Sequence, residues 1–174
     1  MHVMRNSNGK GFSLIELIVA LAVVGILAVI AIPAYRNWIT STQYKAAARQ
    51  VASLLRQARS EAVNRNRECE AVFNLGTNQY SLARGNLPSG STSFADMVVT
   101  ATSFSGGVDI RGNSDCSVNT GEKKLQFNPN GSSSTGYICV VDNAGTRKFR
   151  VGVTVANTGR VVIQQWNPGS GSWE

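Results

Sequence analysis

Apolar positions follow three successive patterns along this chain. From Phe12 to Tyr35 nearly every residue is apolar, and the one formally charged residue is Glu16. About 20 such residues in a helix cross the hydrocarbon core of a bilayer, so the pattern predicts a membrane-spanning helix over 12–35. From residue 36 the apolar positions thin to one face. Ala47, Val51, Leu54, Leu55, Ala58 and Ala62 recur at helical spacing, and Lys45, Arg49, Arg56 and Arg59 fall on the opposite side. The helix should therefore continue as an amphipathic segment over 36–66. At about 1.5 Å per residue its total length is roughly 80 Å, half protruding and half packed on a domain. The basic strip reads as a solvated face; a phospholipid surface or an acidic neighbour are the other readings.

From Glu68 the period changes to two. "CEAVFNL" and "QYSLAR" predict a hairpin around Gly76-Thr77-Asn78. "MVVTATS", "GVDIRG", "LQFNPNG", "GYICVVD", "RKFRVGVTV" and "RVVIQQW" predict further strands, with turns at Asn143-Ala-Gly145 and Asn157-Thr-Gly159. In "KFRVGVTV" the residues Phe149, Val151, Val153 and Val155 should share the core face. The expected class is α+β: one long helix packed on an antiparallel β region spanning 67–174, without internal repeats or a second domain.

Composition removes most chemistry. The single histidine, His2, lies ahead of the apolar block. Past that block nothing offers His-based acid–base catalysis or His metal ligands. Cys69, Cys116 and Cys139 have no C-x-x-C spacing, so a zinc site is not expected. No phosphate loop, dinucleotide fingerprint or nucleophile elbow is present. No catalytic residue, metal or cofactor is assigned, and the chain does not read as an enzyme. Net charge is +7. Taking Arg5 and Lys10 from the 17 Lys+Arg leaves 15 against 10 Asp+Glu, an excess that suits an anionic partner.

Glu16 is the anomaly in the apolar block. A carboxylate in lipid costs roughly 2.5–3.5 kcal/mol on insertion scales, so it needs a partner. The block is too long for a cleaved signal and no A-x-A-like site follows it. A signal anchor with Arg5 and Lys10 kept cytoplasmic fits better. The segment "KGFSLIELIVALAVVGILAVIAIPAYRNW" resembles the class III signal and N-terminal helix of type IV pilins and type II secretion pseudopilins. The resemblance implies a leader over 1–11, cut by a prepilin peptidase between Gly11 and Phe12, and methylation of the new Phe12 amine. Glu16 would then pair with that amine during filament assembly. Gly25 and Pro33 would let the helix loosen within the filament.

Further along, "LLRQARSEAVNRNRE" resembles the GspH/FimT branch of these proteins. More loosely, so does the order strand-Pro-x-Gly, Cys-bearing strand and terminal hairpin with Thr158-Gly159-Arg160. This implies a pilin-like fold and a minor pilin that primes or caps a type IV pilus. The alternative is a minor pseudopilin of a type II secretion system. Its partners would be other major and minor pilins or pseudopilins, the prepilin peptidase and the bacterial inner membrane, with the C-terminal region periplasmic. In that oxidising space a loop cysteine is expected to be tied down. Cys116–Cys139 is favoured, with Cys69 buried as a small hydrophobe; Cys69–Cys139 and Cys69–Cys116 stay open. Some members of the branch bind DNA through a Gly-Arg-x-Arg hairpin. Here the second arginine is Val162, and Arg147, Lys148 and Arg150 would have to join Arg160. DNA is therefore a possible but not a favoured partner. Trp166 and Trp173 could stack bases, or simply finish a core.

Overall fold

The structure, a computed structural model, describes residues 12–104, 108–142 and 144–174. Helix α1 runs Leu14–Arg65. Its start is set by "SLIE": the Ser13 hydroxyl accepts the Glu16 backbone N–H at 3.2 Å. That is the N-cap half of a Ser-x-x-Glu capping box. The helix continues through Gly25 and Pro33. It ends where Asn66 turns left-handed (φ 50°) and the Arg67 N–H closes onto the Ala62 carbonyl at 3.2 Å. This six-to-one bond is the Schellman way of satisfying a helix C-terminus, and Asn tolerates the left-handed conformation.

The chain divides into two compact units, one ending at Thr40 and one running from Ser41 to Glu174. In the first, Leu14–Ile32 has a mean hydropathy of 3.0 and is long enough to cross a membrane; among the described residues it is 0% buried. In the second, α1 buries one stripe. Ala47, Val51, Leu54, Leu55, Ala58 and Ala62 are all buried, joined by Tyr44, Ala48 and Ala52. Lys45, Arg49, Arg56 and Arg59 are exposed.

The strands are β1 (Cys69–Asn74), β2 (Gln79–Arg84), β3 (Asp96–Ser103), β4 (Asp109–Gly112), β5 (Glu122–Phe127), β6 (Gly136–Val141), β7 (Arg147–Val153), β8 (Val161–Asn167) and β9 (Ser172–Trp173). They form two antiparallel sheets, ordered β3-β2-β1-β5 and β4-β6-β7-β8-β9. The β1–β2 turn falls on the expected residues: Asn78 is left-handed (φ 52°), and the Asn74 side chain accepts the Thr77 N–H at 3.1 Å. The turn after β6 is held by Asp142, which accepts the N–H groups of Ala144 and Thr146; Asn143 lies outside the described residues.

One apolar core joins the α1 stripe to both sheets. Ala71, Phe73, Leu82, Leu125 and Phe127 come from the first sheet, and Ile110, Ile138, Val140, Val151 and Val153 from the second. Strand β6 is buried on both faces, because Cys139 and Val141 on its far side pack with Cys116 and Trp173. One expectation fails here. Val155 does not share the core face with Val151 and Val153; it is half exposed. Strand β7 ends at Val153 and a short 3-10 turn, Ala156–Thr158, begins after Val155, so the two-residue alternation stops before reaching it.

Candidate functional site

Among the described residues, the N-terminal determinants sit on an exposed helix end. Phe12 is exposed, and Glu16 occupies the first turn of α1, exposed and with no ion pair among the described residues. A carboxylate there is favoured by the helix dipole, yet its charge has no counter-ion among the described residues. Gly11 lies outside the described residues, as does the Pro33 side chain. A Cβ added at Gly25 would meet nothing within 4 Å among the described residues, so their packing does not require glycine at that position.

The "ARSEA" run, Ala58 to Ala62, locks the helix to the β unit. Ala58 and Ala62 are fully buried and let the helix approach closely. Glu61 accepts from Arg84 of β2 at 3.0 Å, and Arg84 also grips Asp96 of β3 at 2.7 Å. Those two carboxylates, Asp96 foremost, hold the Arg84 guanidinium above its ordinary pKa. Arg59 extends over two left-handed glycines. A Cβ at Gly131 would lie 3.4 Å from its Nη2, and one at Gly159 would lie 3.4 Å from its Nε and collide with the Gly131 carbonyl. The three stretches that carry the family resemblance, around residues 58–62, 129–131 and 158–160, therefore meet in space.

Glu68, immediately before β1, is a buried hub that the sequence reading missed. Its carboxylate accepts the backbone N–H groups of Gly90 and Ser91 at 2.9 and 2.6 Å, and its own backbone pairs with Leu87 and Gly85. Burial alone would raise its pKa, but the Ser91 and Gly90 donors outweigh that and hold it below the usual value. Its signal in sequence is faint: a lone acid ahead of a strand and a Gly-Ser loop far downstream.

Cys116 and Cys139 form a disulfide, and Cys69 is free and buried. Burial, followed by the charge of Glu61, pushes the Cys69 thiol up to about 11, which keeps it protonated and inert. The bridge ties the 113–121 loop to β6.

Of the hairpin cations named for DNA, Lys148 and Arg150 have different partners within the chain. Lys148 pairs with Asp142 at 3.3 Å. Burial opposes charge on Asp142, but the Thr146 N–H and Lys148 overcome it and lower its pKa. Arg150 donates to Gln164 at 2.8 Å and to the Ser114 carbonyl, and lies between the rings of Tyr137 and Trp173, 4.5 and 4.7 Å from their centroids. Trp173 in turn meets Trp166 edge to face at 5.1 Å. The indoles thus finish a cluster over the disulfide. Arg160 is exposed and unpaired among the described residues; the Arg147 side chain lies outside them.

Comparison with known proteins agrees with this architecture. The family model described as "Type II transport protein GspH" matches residues 47–159, and the prokaryotic N-terminal methylation motif matches residues 6–32. A fimbrial protein of Pseudomonas aeruginosa is 38% identical over 73 residues, 42% of this chain and 47% of that one. The type IV major fimbrial protein FimA of Dichelobacter nodosus is 59% identical over 34 residues, 20% of this chain and 22% of that one. The chain thus spans about half, or less, of the curated relatives it matches. Among solved structures, the minor pseudopilin EpsH of the Vibrio cholerae type 2 secretion system aligns with a TM-score of 0.53 at 12% identity, over 71% of this chain and 97% of that one. The Pseudomonas aeruginosa type IV minor pilin FimU aligns with a TM-score of 0.51 at 19% identity, over 76% and 93%. With the methylation motif on its apolar helix and the GspH model across most of its β unit, this chain belongs to the GspH family of type IV pilin-like proteins.

Proposed function

We propose that this chain is a minor pilin that primes or caps assembly of a type IV pilus. A prepilin peptidase removes residues 1–11, the Phe12 amine is methylated, and the chain waits in the inner membrane with its β unit in the periplasm. The observation that carries this reading is α1's first half. Among the described residues, it presents an apolar surface that is left uncovered and a capped Glu16 without a counter-ion. Other subunits supply both deficits, the apolar surface by helix packing and the carboxylate by a Phe12 ammonium. A charge desolvated without its partner is costly, so the pair would set docking register. Gly25 and Pro33 would lower the cost of loosening the helix there.

Membership in a secretion pseudopilus is the second reading, favoured by the description of the matching family model. Deleting the chain separates the two. Loss or thinning of surface pili with intact type II secretion supports the pilus; the reverse phenotype assigns the chain to the secretion system. Processing has its own test. Gly11→Ser should leave an uncut, unmethylated chain in the inner membrane, read as a shift of about a leader's mass. Normal cleavage in that variant would refute the cut site.

A further inference from the structure

Two cavities lie along one side of α1 within the Ser41–Glu174 unit. One, about 260 Å³, is lined by Lys45, Arg49, Phe149 and Ile163. The other, about 450 Å³, is lined by Arg56, Arg59, Val63, Arg160 and Val161. The helix lining advances from 45 to 63 while the strand lining retreats from 163 to 159. The cavities therefore follow one another along the α1–β8 boundary, over about 27 Å of helix at 1.5 Å per residue.

The charges of this unit are unevenly settled. Glu61, Glu70, Asp96, Asp109, Glu122 and Asp142 are ion-paired. Glu68, Asp115 and Glu174 accept hydrogen bonds. By contrast, Lys45, Arg49, Arg56, Arg59 and Arg160 are exposed and have no ion pair among the described residues. All five line the two cavities. The apolar share of the lining is also open: Val63 and Ile163 are exposed, at 48% and 39%, and Phe149 and Val161 are partly buried. Arg59 lies close against Gly131 and Gly159, where glycine leaves room for its guanidinium.

This combination selects among anions. A row of phosphates needs cations but gains nothing from Phe149, Ile163, Val161 and Val63. A bilayer surface is flat and does not enter a cleft. A second copy of this β unit offers no carboxylate that is not already engaged. Carboxylates match the planar guanidinium fork, and apolar side chains beside them match the floor. We propose that this groove between α1 and β8 docks an acidic, amphipathic segment of a different protein subunit. The inference does not depend on which filament the chain joins.

The test uses the full chain in nanodiscs of zwitterionic lipid. The probes are a labelled Glu/Ala/Leu amphipathic peptide, its Lys/Ala/Leu counterpart, polyaspartate of equal charge and duplex DNA. The Glu/Ala/Leu peptide should bind best. Arg56→Gln with Arg160→Gln, leaving Arg59 and its glycine contacts intact, should weaken it at least about tenfold. Ile163→Ser should weaken that peptide and leave polyaspartate unchanged, with near-ultraviolet circular dichroism confirming the fold of each variant. The proposal is overturned if the arginine pair leaves peptide affinity unchanged, if the Lys/Ala/Leu peptide binds equally, or if Ile163→Ser has no effect. Duplex DNA binding more tightly than the peptide, and lost in the arginine variant, would also overturn it and make the groove a nucleic-acid surface.

Discussion

The two halves of α1 carry the same kinds of apolar side chain to opposite fates. Ile18, Leu21 and Val24 are exposed, while Val51 and Leu55 are completely buried. The residue types do not explain this; their arrangement does. Before Thr40 apolar residues surround the helix on all sides, so no single face of one small domain could cover them. After Ser41 they form one stripe, and two sheets close over it. A helix that is apolar all round belongs in lipid or among other helices; a one-sided helix belongs on its own domain.

The comparison breaks most sharply by truncating one leucine from each half. Leu55→Ala should destabilise the β unit by about 2–5 kcal/mol, the range for a buried leucine, while Leu21→Ala should leave its denaturation midpoint unchanged. Chemical unfolding of each variant in detergent, followed by tryptophan fluorescence, measures this. Equal effects would mean that the first half also supports the domain. Next in size is the disulfide. Its sequence separation of 23 corresponds to about 3 kcal/mol of stabilisation on the loop-entropy model. Replacing Cys116 and Cys139 together by alanine should lower β-unit stability by that order and leave membrane insertion of the apolar half unaffected.

Glu68 gives the smallest effect and sharpens the contrast with Glu16. Glu68→Ala would strand two backbone donors, at a cost of about 1–3 kcal/mol. The sign with pH follows from its lowered folded pKa. The stabilisation is present above the ordinary value of 4.5 and is lost as pH falls through the lower folded value. Asp142 behaves alike, below its ordinary 3.8. Acid unfolding of the β unit should therefore steepen below about pH 4.5 in the wild type and flatten in Glu68→Ala. An unchanged acid limb would show that the Glu68 contacts contribute nothing.

Helix extent, the buried stripe and the approximate strand positions were legible because they depend on local periodicity. The division into two sheets was not. It rests on pairing β1 with β5 and β4 with β6, partners brought together by the folded chain and not by adjacent turns. Val155 misled because alternation continues in sequence past the point where β7 stops. The cations on β7 looked alike in sequence, but Asp142 claims Lys148 and two aromatic rings claim Arg150. Neither capture is local enough to predict. The meaning of "ARSEA" likewise emerged only when Arg84, Gly131 and Gly159 were found beside it.

The central claim is that the first half of α1 is completed by other subunits, with Glu16 setting the register. Its most direct test is the amount of Glu16→Ala protein in purified filaments, relative to the membrane pool, with leader removal checked by N-terminal mass. An unpaired buried ammonium costs about 3–5 kcal/mol. The account therefore predicts a normally cleaved chain at least about tenfold depleted from filaments. A cleaved Glu16→Ala chain present in filaments at wild-type level would contradict it.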